Sequence, residues 1–296
     1  MGGTRTSFGL ATTVTACLVL SGTTPAPGQT PARPVRTKAE DDRTFRPTVI
    51  VRKGTGQGSG TVIASVPGET LVLTASHVAK AAAEGPLAVE VHRYNLGVEN
   101  DLPAKGWPLL LPAELAAADP AADVAVIRIR GRLDLPFVAR LAPEGREPKA
   151  GVEVTSVGVD GGNHFSSWVT RVREPVWLTF EVGKSSAEAA GETTIGSPRF
   201  HGEVHAAKPT GLDAGGKERP FLLTEKAPVQ GRSGGGLYVK GGLLVGVCVG
   251  RIETGRASGG GIFASIESIR KLLRENDLDA VVARSEALRV RPKAKR

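Results

Sequence analysis

Ser233 sits among four glycines in Gln230-Gly-Arg-Ser-Gly-Gly-Gly-Leu237, followed by the apolar run Leu243-Leu-Val-Gly-Val-Cys-Val249. Glycine lets the backbone take positive φ and approach a ligand closely. A serine held on such a turn presents its hydroxyl while neighbouring N–H groups point at a developing oxyanion. Taken alone, the stretch reads equally well as a glycine-rich hairpin turn. Two upstream stretches tip the balance: Leu73-Thr-Ala-Ser-His-Val78 and Asp119-Pro-Ala-Ala-Asp-Val-Ala-Val126. They bring a histidine, an aspartate and a serine in that chain order, the residue types that acyl transfer by serine uses. Ser233 is the candidate nucleophile. His77 is the candidate base, because imidazole takes and returns a proton near neutral pH. Asp123 is the candidate carboxylate that fixes the imidazole tautomer. It directly precedes Val124-Ala-Val-Ile127, so it would stand at the mouth of a buried strand and need a partner there. The N–H groups of Gly231 and Ser233 would form the oxyanion hole.

Elements that could position these residues are short. Thr48 to Arg52, Gly58 to Ala64, Thr70 to Thr74, Leu87 to His92, Trp107 to Leu115 and Val124 to Ile129 carry β-branched or apolar residues between turn formers. A second group follows at Val152 to Gly158, Trp168 to Arg173, Val176 to Val182, Phe221 to Thr224, Gly235 to Lys240, Leu243 to Val249 and Gly260 to Ala264. Arg130 to Ala150, with its prolines and charges, reads as the link between the groups. Ile266, Ile269, Leu272 and Leu273 repeat at helical spacing and predict one amphipathic helix over Ser265 to Arg274. Two groups of short strands joined by a linker predict an all-β chain of two small barrels plus a C-terminal helix.

The 296 residues suffice for a large core, and 38 glycines with 20 prolines favour strands and turns over long helices. The net charge is +8, but aromatics are only 4% and no basic block is interleaved with them, so nucleic-acid binding has little support and is not expected. Arg5 and the mostly apolar or small run Phe8 to Leu20 read as an export signal within residues 1–26, too short for a stable anchor. That implies a secreted or periplasmic protein. Val14-Thr-Ala-Cys17 also has the layout of a lipoprotein signal, but the apolar Leu18-Val-Leu20 behind it ranks ordinary secretion first. Cys248 lies in an apolar strand pattern and is expected to be a buried free thiol. Residues 27–47 read as a flexible leader, and 267–296 as the C-terminal helix with a basic tail. His201-Gly-Glu-Val-His205 superficially has zinc-peptidase letters, but Gly202 and nearby prolines oppose the helix such a site needs, so no metal is expected. Asp101, Asp160 and Asp213 stand in turn-like contexts that aspartate favours. No cofactor is expected.

The His77, Asp123 and Ser233 stretches resemble the chymotrypsin-like serine peptidases, more closely their bacterial disulfide-free branch, which includes the HtrA-type proteases. Members carry Thr-Ala-x-His, Asp-x-Ala-hydrophobic and Gly-[Asp/Asn]-Ser-Gly-Gly. The likeness extends to Gly58-Ser-Gly-Thr-Val62, Ser156-Val-Gly158, Phe221-Leu-Leu-Thr-Glu225 and Leu244-Val-Gly-Val247, and covers residues 48–266. It implies two six-stranded antiparallel β-barrels, over 48–130 and 150–266, with the site between them. His77, Asp123 and Ser233 fall on the triad, and Gly231 on the oxyanion loop. Arg232 departs from the usual acidic residue or Asn, and Gly236 from a common proline. In digestive relatives the acidic residue before the serine pairs with a newly cut amine; an arginine would repel it, so no activating cut is expected. No PDZ-like domain is expected, because only about thirty residues follow Ala264. In trypsin-like relatives an aspartate six residues before the serine selects Lys or Arg, and here Ala227 stands there. With Val249 and Arg251 on the opposite wall, the pocket is expected to accept apolar side chains. The implied function is an exported serine endopeptidase acting on protein or peptide substrates. A catalytically weak or inactive peptide-binding module is the alternative.

Overall fold

Runs of Val, Ile, Leu and Thr punctuated by glycine form two groups of antiparallel strands. The computed structural model describes residues 37–80, 85–99, 104–131, 133–161, 164–178, 205–206, 219–252 and 259–290. The expected export signal, Cys17, Asp101, His201, Asp213 and the last basic residues lie outside these. The first group is β1 (Thr48–Lys53), β2 (Gly56–Val66), β3 (Gly68–Ala75), β4 (Leu87–Val91), β5 (Leu109–Pro112), β6 (Glu114–Asp119) and β7 (Val124–Gly131). They form one sheet in the order β5-β4-β1-β2-β3-β7-β6, a seven-stranded half-barrel. The second group is β8 (Arg140–Leu141), β9 (Glu153–Asp160), β10 (His164–Leu178), β11 (His205–Ala206), β12 (Arg219–Thr224), β13 (Gly236–Val239), β14 (Leu243–Arg251) and β15 (Gly261–Ser265). The order β10-β12-β15-β14-β13-β9 closes into a six-stranded barrel through the β9–β10 pairing, with β11 beside β10 and β8 parallel to β14.

Side-chain alternation decides where each strand contributes. On β3, Leu71 and Leu73 join the large core that runs through the second barrel, while Val72 joins a smaller core with Val49, Val51, Val62 and Ile127. The two sheets therefore share apolar packing across their junction. Among the described residues there are four α-helices, α1 (Lys38–Glu40), α2 (Ser76–Ala79), α3 (Ile266–Glu275) and α4 (Asp279–Val290), and a short 3-10 turn at Arg93–Leu96. On α3 the predicted Ile266, Ile269, Leu272 and Leu273 are buried in the shared core.

Several segments differ from the sequence expectation. The end of the expected flexible leader is folded: α1 continues into a π-helical turn over Asp41–Phe45, and Phe45 is buried in the core. Arg46 is buried too, with its guanidinium against the Tyr94 and Phe137 rings and an ion pair to Asp42. The expected link 130–150 is packed, with Leu135, Ala139 and Leu141 buried. A second C-terminal helix, α4, lies over β2, whereas the sequence predicts only one helix, over Ser265 to Arg274. Its Ser285 hydroxyl accepts from the Ser65 N–H, and Arg289 donates to the Leu135 carbonyl.

Candidate active site

The β3–β7 register pairs Ala75 with Val124, so His77 on α2 and Asp123 emerge at the same end of the half-barrel. Asp123 has φ of 51°, a left-handed conformation that aspartate tolerates better than most residues. This bend turns its carboxylate back onto α2. One oxygen accepts the His77 N–H at 2.9 Å, and the other is 2.6 Å from His77 Nδ1. Asp123 is 1% exposed, so both oxygens need such partners. With Nδ1–H given to the carboxylate, Nε2 is left as the acceptor of a neutral imidazole.

Ser233 arrives from the second barrel, on the turn between β12 and β13. That turn is wedged onto β2. The Ser59 N–H donates to the Ser233 carbonyl at 2.7 Å, and Ser59 Oγ donates to the Gly231 carbonyl at 2.8 Å while accepting from the Val159 N–H at 2.8 Å. Gly58 shows how closely the parts converge: a Cβ there would lie 2.7 Å from a Val78 methyl and 3.0 Å from the Ser233 carbonyl. The His77 helix and the Ser233 turn thus meet on Gly58-Ser59. Gly231 has φ of 89°, and among the described residues neither its N–H nor that of Ser233 donates to a carbonyl. The Ser233 hydroxyl donates to the Val249 carbonyl at 3.2 Å; among the described residues no hydrogen bond joins it to His77. Gly236 needs its missing side chain, since a Cβ would meet the Tyr238 ring at 2.6 Å and Leu244 at 2.7 Å.

Nothing local in the sequence marks Ser59 as part of the site. Asp160 ends β9 at its hairpin with β10 and pairs with Arg232 at 2.6 Å, a partner that its turn-like sequence context does not predict. No local signal in the sequence joins residues so far apart; the only clue was the unusual basic residue before the serine.

Ala227 is half-buried, Val249 is buried and Arg251 is exposed. Among the described residues no cluster of three or more His, Cys, Asp or Glu could hold a metal. His205 lies on β11, in extended backbone.

Cys248 is a buried free thiol on β14, its carbonyl accepting the Gly234 N–H at 2.8 Å. Burial pushes its thiol up to about 12 from the ordinary 9.0, against the pull of Arg232. The native thiol stays protonated while an unfolded one ionises above pH 9.0, so this group's stabilisation is complete below pH 9.0 and is lost as pH rises toward 12. Cys248→Val is expected to flatten the alkaline fall of the thermal midpoint. Native Cys248 should resist a thiol reagent at pH 8, with modification mapped by mass spectrometry appearing only after denaturation. Rapid modification in the native state would contradict this burial.

A half-barrel and a closed six-stranded barrel, with the histidine and aspartate on one and the serine on the other, define a chymotrypsin-like fold. The chain belongs to the trypsin-like peptidase domain family, whose pattern matches residues 58–247. Among solved structures it is similar to the Rv3671c protease of M. tuberculosis in its active form, with a TM-score of 0.54, 20% identity, and 83% of this chain and 91% of that one covered. The inactive form gives a TM-score of 0.51 and 21% identity over 78% and 89%. A serine endoprotease from Yersinia pestis gives 0.51 and 19% over 83% and 68%. At these identities the likeness is one of fold. Comparison with curated proteins finds no match.

Proposed function

We propose that the chain is an exported serine endopeptidase in which Ser233, His77 and Asp123 act as a catalytic triad. The observation that carries this reading is the two-oxygen clasp of Asp123 on His77, set at the junction where the Ser233 turn is wedged. The Ser233 hydroxyl turns from the Val249 carbonyl toward His77 Nε2 and attacks the substrate carbonyl carbon as Nε2 takes its proton. The N–H groups of Gly231 and Ser233 receive the oxyanion. His77 then returns the proton to the leaving amine, and water, activated by the same imidazole, hydrolyses the acyl-enzyme. Export rests on the leader sequence; among the described residues no helix is long and apolar enough to cross a membrane.

A fluorophosphonate probe tests the proposal. Covalent labelling should map to Ser233 and vanish in His77→Ala. The bond from Ser233 to Val249 favours a second reading, a peptide-binding module with an idle serine, and failure to label would select it.

The pocket argument predicts what precedes the cut bond. Ala227 brings no counter-charge, and a buried ammonium without a partner is costly, whereas each apolar methylene gains about 0.8 kcal/mol. Peptides with Val, Ala or Leu before the scissile bond should exceed Lys or Arg by at least about a hundredfold in kcat/KM, equivalent to ~3 kcal/mol. A peptide-library digest read by mass spectrometry measures this. Cuts mainly after Lys or Arg would refute the apolar pocket, and cuts after Glu or Asp would bring Arg251 into it.

A further inference from the structure

Arg232 is the largest fully buried side chain among the described residues, and it directly precedes the candidate nucleophile. A buried guanidinium is held only where acceptors surround it. Here they come from one hairpin. Nη2 and Nε reach Asp160 Oδ1 at 2.6 and 3.2 Å, and Nη1 donates to the carbonyls of Ser156 at 3.1 Å and Ser166 at 3.3 Å. Nη2 also donates to the Ser166 hydroxyl, which itself donates to Asp160, and the guanidinium carbon lies 5.7 Å from the centre of the Trp168 ring. All four partner residues belong to β9 and β10. Their register sets Ser166 opposite Gly158 and Trp168 opposite Ser156. Gly158 makes the channel, since a Cβ there would lie 2.6 Å from Arg232 Cδ. The backbone on either side of Arg232 is the part that would hold an oxyanion. The Gly231 carbonyl is tied to Ser59, and the Arg232 carbonyl accepts the Gly235 N–H at 2.8 Å.

We infer that Arg232 is a positioning residue. Its charge-paired anchor in the β9–β10 hairpin fixes the peptide planes on both sides of it, so the Gly231 and Ser233 N–H groups face the same point without any external partner. This inference rests on the proposed peptidase activity and adds the device that orders its oxyanion loop. Arg232 touches no reacting atom. Because both charges lie within the chain, no newly cut amine is needed for the loop to set.

The test uses the full chain and an amide substrate, with Asp160→Asn and the double variant Arg232→Met/Asp160→Asn beside the wild type. Assays are run where circular dichroism shows every variant folded. Asp160→Asn is expected to lower kcat about a hundredfold, the size of a lost oxyanion donor, with KM within about twofold. Inhibition by a peptide aldehyde, whose adduct places an oxyanion in the same hole, should weaken in parallel with kcat. Binding of a non-reactive peptide of the same sequence should not change. The double variant removes both charges, so its thermal midpoint should recover toward the wild type while kcat stays low. An uncleaved tag on the amino terminus should leave the wild-type kcat unchanged. Recovery of full kcat in the double variant, an equal loss of aldehyde and plain peptide binding, or activation on tag removal would each overturn the inference. If the wild type is active and Asp160→Asn matches it, the anchor alone is refuted. A wild type that neither hydrolyses nor labels refutes the peptidase reading and the anchor with it.

Discussion

Ser233→Ala is expected to lower kcat for a chromogenic peptide ester by about six orders of magnitude, with little movement of the thermal midpoint. The asymmetry follows from what the hydroxyl does in the resting protein. Its one hydrogen bond among the described residues, to the Val249 carbonyl at 3.2 Å, is worth about 1 kcal/mol, while the backbone bonds that seat the turn remain. His77→Ala should be about as severe, and the double variant no worse than either alone, because such groups act as a unit. Asp123→Asn should cost about four orders of magnitude. An amide can still accept the His77 N–H, but it cannot hold the Nδ1 proton with a charge. Stopped assays at saturating substrate, with calorimetry on the same samples, separate chemistry from folding. Hydrolysis by Ser233→Ala at the wild-type rate would remove this serine from the mechanism.

Most of the strand framework was legible because its signal is local. β1, β3, β7 and β14 are runs of β-branched and aliphatic residues, and they lie within a residue or two of their expected bounds. β10 reads as two strands because Pro175 interrupts the pattern and a bulge falls between Val172 and Glu174, yet the backbone runs on against β12. α4 was hidden for a different reason. Its core face is Val281, Val282 and Ser285, entered from the buried Leu278 just before the helix, and the serine breaks the apolar period because it caps the Ser65 N–H rather than filling space. The folded segment before β1 depends on Phe45 and Arg46 finding partners at Tyr94 and Phe137, about fifty and ninety residues further along. The candidate site divides in the same way. Its motif residues could be picked out from local composition. The Ser59 and Asp160 contacts that hold the Ser233 turn in place are long-range and carry no spacing rule.

Gly234→Ala is expected to be the most damaging of the single-atom-scale changes, in stability and activity together. Gly234 has φ of 87°, where an L side chain costs about 1–2 kcal/mol. A Cβ there would also collide with the Ser59 carbonyl oxygen and Thr74 Oγ1, and stand 3.1 Å from the Ala75 nitrogen. Neither obstacle can step aside, because Thr74 Oγ1 donates to that same Ser59 carbonyl at 2.7 Å inside the sheet. Forcing atoms into a packed interior adds about 1–3 kcal/mol, so the total is ~2–5 kcal/mol. Gly241→Ala is the matched control: its φ is 95°, but nothing lies within 4 Å of its Cβ direction, so only the conformational cost applies. Urea unfolding should show the Gly234 variant losing clearly more than the control, and its residual folded fraction should hydrolyse poorly because relief requires Ser233 to move off Ser59. Equal midpoints for the two variants, with wild-type turnover in Gly234→Ala, would mean that the serine turn is not wedged against β2 and β3.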